Sequence, residues 1–133
     1  MQLSKNSKIF IAGHNGMVGS AILRHLKKKN YKNIIVKNRK KLDLLNQEKT
    51  EKFLKKVKPD IVIIAAAKVG GILSNDIYRG EYIYQNLTIQ TNLIHSSFKV
   101  GVKKLIFLGS SCIYPKFSKQ PIKEDYLLNG KLE

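Results

Sequence analysis

The chain has one cysteine, no tryptophan and three prolines among its 133 residues. A single cysteine, Cys112, excludes a disulfide within the chain and is typical of a reducing compartment, so we expect a cytoplasmic location. No apolar run approaches the ~20 residues that a membrane span requires, and residues 1–7 lack the apolar core of a signal peptide. We therefore expect no membrane partner.

Acidic residues are also scarce. The chain has nine of them and 25 lysines and arginines, which gives a net charge of +16. A nucleic-acid partner would fit that charge, but the lysines are scattered in twos and threes, with no basic tail and no interleaved aromatic row. We expect a solvated lysine-rich surface and no nucleic-acid partner, although a small polyanionic ligand would gain from the field. At 43% hydrophobic residues, the chain is long enough for one globular domain.

The most informative stretch is residues 8–21, where a short apolar run precedes three evenly spaced glycines, Gly13, Gly16 and Gly19. An amphipathic segment follows, so the predicted order is strand, tight turn, helix. Such glycines allow a sharp turn, the approach of a diphosphate and close packing of the helix, whose free N–H groups favour phosphate. A glycine-rich turn that binds nothing is the alternative. A kinase-type P-loop is excluded because no Gly-Lys-Ser/Thr follows.

Hydrophobic periodicity along the chain predicts alternating strands and helices. Strands are expected at residues 8–12, 33–36, 61–67 and 104–108. Helices are expected at residues 16–30, 47–57 and 80–100, with a loop or short helix at 72–79. This alternation predicts an α/β Rossmann-like domain, a doubly wound parallel sheet of order 3-2-1-4. Its ligand crevice should lie where the order reverses, between the first and fourth strands.

The residues after the second strand bear on the choice of cofactor. Residues 37–41 read Lys-Asn-Arg-Lys-Lys, where NAD-binding units usually carry an acid for the ribose 2′-OH. A basic cluster suits a 2′-phosphate and hence NADP(H), with solvated loop lysines as the alternative. Asp43 is a candidate for the adenine edge or an ordinary loop residue. The small residues 65–67 would let a cofactor lie against the third strand, with a plain transition from strand to loop as the alternative.

Hydroxyl and thiol groups follow the fourth strand. Ser110 or Ser111 would hydrogen-bond a substrate oxygen during hydride transfer, and the Cys112 thiol would move a proton near a carbonyl. The alternatives are that the serines satisfy backbone groups in a turn and that Cys112 is a small buried hydrophobe.

The long helix at residues 80–100 carries two apolar stripes. One stripe holds Ile83, Leu87, Ile94 and Phe98, and the other holds Tyr82, Ile89, Leu93 and Val100. This surface is wider than one contact with a sheet requires. We therefore expect one stripe to remain exposed.

Several strings together resemble the GDP-L-fucose synthase family of extended short-chain dehydrogenase/reductases. They lie at residues 12–21 (AGHNGMVGSA), 65–72 (AAAKVGGI), 84–86 (YQN), 107–116 (FLGSSCIYPK) and 119–121 (KQP). The likeness covers nearly the whole chain from residue 8 onward. It implies NADPH-dependent conversion of GDP-4-dehydro-6-deoxy-D-mannose to GDP-L-fucose, in which the sugar is epimerised at C3 and C5 and reduced at C4.

The resemblance also implies roles for individual residues. Gly13 to Gly19 would hold the diphosphate, Arg39 the 2′-phosphate, and Leu108 to Ser111 the nicotinamide side. Ser110 would stand beside a catalytic tyrosine, and Cys112 would transfer protons in epimerisation. The full set of implied cofactor residues is Gly13, His14, Asn15, Gly16, Met17, Val18, Gly19, Arg39, Asp43, Leu44, Ala66, Leu108, Gly109, Ser110 and Ser111. No metal is implied.

Two features depart from the family. Asn15 stands where family members often carry a basic residue. No tyrosine in the chain is followed four residues on by lysine, so the family's Tyr-x-x-x-Lys pair is absent. We therefore expect residues 1–133 to be the N-terminal NADP-binding part of such an enzyme, active as a homodimer when complete or with a complementing C-terminal chain. A non-catalytic nucleotide-binding module is the alternative.

Overall fold

A computed structural model describes residues 4–132, which form a four-stranded parallel sheet with helices on both faces. The strands are β1 (Ile9–Ala12), β2 (Ile34–Val36), β3 (Ile61–Ile64) and β4 (Lys104–Phe107). The helices are α1 (Met17–Lys28), α2 (Gln47–Val57), α3 (Ile72–Ile77) and α4 (Arg79–Lys99), followed by 3₁₀ turns at Ser111–Ile113 and Glu124–Tyr126. The predicted α/β class is confirmed. No helix of the described part is long and apolar enough to cross a membrane.

The strand order is β2-β1-β3-β4, so the predicted order 3-2-1-4 is wrong. β3 pairs with β1 on the side away from β2 and separates β1 from β4. The reason is burial, because Ile61–Ile64 is at most 7% exposed and needs a strand on each side and helices on both faces. The order therefore reverses between β1 and β3, and the predicted crevice between the first and fourth strands is also wrong.

Alternation along the central strands builds two core layers. Ile9, Ile11, Ile61 and Ile63 face α1, which contributes Ile22, Leu23 and Leu26. Phe10, Ala12, Val62 and Ile64 face the opposite layer, with Leu54 of α2 and Leu93 of α4. Placing α1 alone on one face and α2 and α4 on the other is what right-handed crossovers require for this order.

The helix boundaries follow from local chemistry. α2 spans the predicted residues because the Asn46 side chain accepts a hydrogen bond from Lys49 N at 2.8 Å and Lys58 ends the helix in the left-handed region. α1 is shorter than predicted and is followed by Asn30 at φ 61°. β3 ends three residues before the predicted end, which leaves residues 65–67 as a loop at the sheet edge.

The outer side of α4 carries the apolar stripe expected to stay exposed. Ile83, Leu87, Ile94 and Phe98 are 42–82% exposed, whereas Tyr82 and Leu93 of the second stripe are buried. The prediction that one stripe stays exposed is thus confirmed, and the structure identifies it as the first stripe. Large exposed apolar patches on a soluble protein often mark an interaction surface.

From this stripe we expect the chain to self-associate at micromolar concentration, through contacts between α4 helices. Replacing two of its residues, Ile94→Glu and Phe98→Glu, should shift the chain to monomer, because like charges on the facing helices would repel. Light scattering and sedimentation in moderate salt would measure the change. The matched control Leu132→Glu alters an exposed leucine outside α4. A monodisperse monomer of the unaltered chain at every concentration would contradict this expectation.

At the amino ends of the strands, Asp60 ties three segments together. Its carboxylate accepts a hydrogen bond from Lys8 N at 2.9 Å and pairs with Lys103 Nζ at 2.8 Å. Its backbone N–H donates to Lys8 O, and its carbonyl accepts from Lys103 N. The Lys103 ammonium, and after it the Lys8 amide, hold the pKa of the Asp60 carboxyl below its usual value.

We expect Asp60→Ala to lower the free energy of unfolding at neutral pH by about 1 kcal/mol, because these bonds to the carboxylate are lost. Because the folded-state pKa is depressed, the stabilisation is present above about pH 4, the unfolded value, and is lost as the pH falls through the folded value. Urea unfolding should therefore give a difference at pH 7 that disappears in acid. Asp76→Ala, which breaks an exposed pair with Arg79, is the control and should cost less. A difference independent of pH would contradict the assignment.

Candidate dinucleotide-binding site

A cleft of about 500 Å³ opens at the carboxyl ends of β1 and β3, where the strand order reverses. Ligands of doubly wound sheets bind at this position. Three segments and one helix face form its walls. They are the glycine loop (Gly13, His14, Asn15, Gly16), the basic loop (Lys37, Asn38, Arg39, Leu42, Asp43, Leu44, Leu45), the β3 loop (Ala65, Ala66, Ala67, Lys68), and Glu81, Gln85 and Ile89 of α4.

Two of the three glycines are required by contacts within the protein. Gly13 has φ 84°, and a Cβ there would lie 2.5 Å from Ala65 O and 2.6 Å from Ala66 N. A Cβ on Gly19 would lie 2.1 Å from Gly13 O, so this glycine allows close contact between α1 and the glycine loop, whereas the predicted role was close contact with the sheet. Gly16 differs, because a Cβ there would meet only Gly13 O at 3.4 Å. Gly16 is therefore the glycine that leaves room for a ligand.

The start of α1 is suited to an anion. Gly16 caps the helix without a side-chain hydrogen bond, and the first turn contains no acidic residue. No side chain therefore accepts from the N–H groups of the first turn, and no carboxylate there offsets the positive end of the helix dipole. This combination is the usual basis of phosphate binding at a helix N-terminus.

The basic loop supplies cations on the β2 side of the cleft. The Arg39 side chain is 72% exposed, and its Nε lies 3.8 Å from Asp43 Oδ1. Asn38 Oδ1 accepts from Lys41 N at 3.0 Å and shapes the turn. Asp43 Oδ1 accepts from Leu45 N at 3.1 Å, so Asp43 both shapes the loop and lines the cleft.

The opposite wall contains polar residues that sequence reasoning missed. Lys68 Nζ forms an ion pair with Glu81 and lies 5.0 Å from the centre of the Tyr82 ring. Glu81 Oε1 also accepts from Gln85 Nε2 at 2.8 Å. Two signals were available, since Lys68 closely follows a buried strand and Glu81 and Gln85 are four residues apart on one helix.

The hydroxyl and thiol groups lie beyond β4 and do not line this cleft. Because β3 intervenes, the ends of β1 and β4 are separated by two strand spacings, roughly 10 Å. Ser110 Oγ accepts from Cys112 N at 3.1 Å, so the backbone role proposed as the alternative is present. Cys112 is exposed, so the alternative of a buried hydrophobe is wrong.

The predicted cofactor residues and Cys112 fall into three groups. Eight line the cleft: Gly13, His14, Asn15, Gly16, Arg39, Asp43, Leu44 and Ala66. Met17, Val18 and Gly19 form the adjoining first turn of α1, whereas Leu108, Gly109, Ser110, Ser111 and Cys112 follow β4. Among residues 4–132, no group of three His, Cys, Asp or Glu is arranged to hold a metal ion.

This sheet, with a glycine-rich turn leading into a helix at the point of order reversal, defines an α/β protein of the dinucleotide-binding type. Residues 9–133 match the NAD dependent epimerase/dehydratase family, and the chain belongs to that family.

Within this family, the chain is similar to enzymes that are named for GDP-sugar substrates. The chain is 57% identical over 133 residues to GDP-L-fucose synthase of Sinorhizobium fredii, covering all of this chain and 42% of that protein. It is 55% identical over 129 residues to GDP-L-fucose synthase 1 of Arabidopsis thaliana, covering 97% of this chain and 40% of that protein. A GDP-mannoheptose C4 reductase from Campylobacter jejuni, solved with NADP bound, is 45% identical with a TM-score of 0.93, over 99% of this chain and 42% of that one. The chain thus spans about two fifths of the length of these relatives.

The contact between Gly19 and Gly13 can be tested by adding a methyl group at residue 19. Gly19→Ala should move α1 away from the glycine loop and lower the free energy of unfolding by about 2 kcal/mol, because the added methyl meets backbone rather than a movable side chain. Gly80→Ala is the matched control, because no atom lies within 4 Å of its Cβ, and it should leave the Tm unchanged or raise it. Thermal unfolding followed by circular dichroism gives both values. Equal Tm values for Gly19→Ala and the unaltered chain would show that α1 does not pack as described.

Proposed function

We propose that this chain forms the NADP-binding part of a GDP-sugar epimerase/reductase, and that its substrate is GDP-4-dehydro-6-deoxy-D-mannose, converted to GDP-L-fucose. The observation that carries the proposal is the cleft where the glycine loop, the uncapped start of α1 and the basic loop meet. The 57% identity to a GDP-L-fucose synthase over the whole chain supports the choice of substrate. A complete enzyme would work as a homodimer or with a complementing C-terminal chain.

The cleft fits a phosphorylated dinucleotide. The open side of Gly16 and the free amides of α1 suit its diphosphate, and Arg39 with Lys37 suits a 2′-phosphate. Leu44 offers an apolar contact for the adenine ring, and the small Ala66 lets the cofactor lie against the end of β3. The neighbour with NADP bound supports the phosphorylated form.

Two groups after β4 would act on the sugar. The chemistry that a bound nicotinamide supplies is hydride transfer to the C4 carbonyl carbon. Because Ser110 Oγ already accepts from Cys112 N, its O–H remains able to donate to the C4 oxygen. The exposed Cys112 thiol would exchange protons at C3 and C5, which are acidic because they stand beside the ketone.

The basic loop predicts the choice of cofactor. We expect NADPH to bind more tightly than NADH, because Lys37 and Arg39 line the cleft where NAD-binding units usually carry an acid. Arg39→Ala should weaken NADPH about tenfold and leave NADH nearly unchanged, since the lost bond is to the 2′-phosphate. Cofactor fluorescence titration measures both. Lys28→Ala removes a basic residue outside the cleft and controls for the loss of positive charge. An equal loss of affinity for both cofactors in Arg39→Ala would contradict the assignment of Arg39 to the 2′-phosphate.

The chain alone should bind cofactor but consume none. Reduction of a ketone needs a proton at its oxygen, and none of the 133 residues supplies the Tyr-x-x-x-Lys pair of the family. Steady oxidation of NADPH by the pure chain with GDP-4-dehydro-6-deoxy-D-mannose would refute this.

A hybrid enzyme tests the proposed reaction itself. Residues 1–133 joined to the remaining part of the Sinorhizobium fredii relative should produce GDP-L-fucose. In that hybrid, Ser110→Ala should slow reduction, whereas Cys112→Ser should mainly slow incorporation of solvent deuterium at C3 and C5. A folded hybrid that binds NADPH and accepts only a GDP-heptose would show that the substrate is a GDP-heptose and not GDP-4-dehydro-6-deoxy-D-mannose. A folded hybrid with no turnover would favour a nucleotide-binding module.

A further inference from the structure

Two asparagines of α4 hold the backbone of opposite walls of the cleft. Asn86 Oδ1 accepts from Lys68 N at 2.7 Å, and Asn86 Nδ2 donates to Lys68 O at 3.0 Å. This pair of bonds fixes both polar groups of one residue in the β3 loop. Asn86 itself does not line the cleft.

The second asparagine, Asn92, is 7% exposed and reaches the basic loop. Its Nδ2 donates to Leu44 O at 2.8 Å and approaches Leu45 O at 3.4 Å. Leu44 and Leu45 line the cleft beside Asp43, whereas Asn92 lies behind them. The two asparagines are six residues apart on one helix, a rise of about 9 Å.

We propose that Asn86 and Asn92 are positioning residues that fix the separation of the β3 loop and the basic loop, and thereby set the affinity for the dinucleotide. This inference rests on the proposed function. Both walls are loops, and α4 is a single regular helix that contacts each of them. Because the walls are already held in place in the free protein, they lose less conformational entropy when the ligand binds.

The two clamps should affect different parts of the ligand. Asn92 holds the wall that carries Asp43 and continues into Arg39, which faces the adenosine and its 2′-phosphate under the proposed function. Asn86 holds Lys68, on the wall opposite. Loss of Asn92 should therefore weaken a ligand made of the adenosine half alone, and loss of Asn86 should not.

Calorimetric titration of the full chain with NADPH and with adenosine 2′,5′-bisphosphate tests this difference. Asn92→Ala should lower the affinity for both ligands roughly tenfold, the change expected from the loss of about one hydrogen bond that holds the wall in place. Asn86→Ala should weaken NADPH by a similar factor and leave adenosine 2′,5′-bisphosphate within about twofold. Asn86→Asp, which keeps the acceptor for Lys68 N, should recover part of the affinity.

Controls separate positioning from general loss of stability. Asn33→Ala removes an equivalent side-chain bond, from Asn33 Nδ2 to Asn6 O at 2.7 Å, at the opposite end of the sheet and should leave both affinities unchanged. If Asn92→Ala does not fold, Asn92→Ser keeps a polar group that is too short to reach Leu44. Folded variants that bind both ligands like the unaltered chain would overturn the inference alone. An unaltered chain that binds no NADPH would overturn the proposed function and this inference together.

Discussion

The cleft depends on the close approach of two backbone segments, the turn after β1 and the loop after β3. Gly13 lies so near Ala65 and Ala66 that a single methyl group would overlap their backbone atoms. The approach is possible because β1 and β3 are paired neighbours, in register from Ile9 with Ile61 to Ala12 with Ile64. The position of α1 follows from it, since Gly19 rests on Gly13. The basic loop then closes the cleft from the β2 side.

α4 connects this cleft to the rest of the molecule. Its inner side buries Leu93 in the core and holds both cleft walls through Asn86 and Asn92, while Glu81 and Gln85 line the cleft. Its outer side carries the exposed apolar stripe. Because one helix serves the core, the cleft and the outer surface, its sequence lacks a simple division into polar and apolar faces, and two stripes appear side by side.

The elements were predictable where local chemistry decides them. Asn46 as a cap and Lys58-Pro59 as a stop define α2 to the residue, and the three glycines locate the turn into α1. The strand order was not predictable from the same information, because an apolar run such as Ile61–Ile64 indicates burial without naming its neighbours. Its complete burial on both faces is the feature that would have argued for a central position. Lys68, Glu81 and Gln85 were missed because only the folded chain brings the β3 loop and α4 together.

We expect a phosphorylated dinucleotide to bind in the cleft between β1 and β3. Titration of the isotopically labelled chain with NADPH, followed by amide NMR, tests it most directly because every segment reports at once. Shifts should concentrate in residues 13–19, 37–45 and 65–68. Absence of shifts in these residues, or shifts confined to a separate cavity that is lined by residues 115–119, 126 and 129–132, would contradict it.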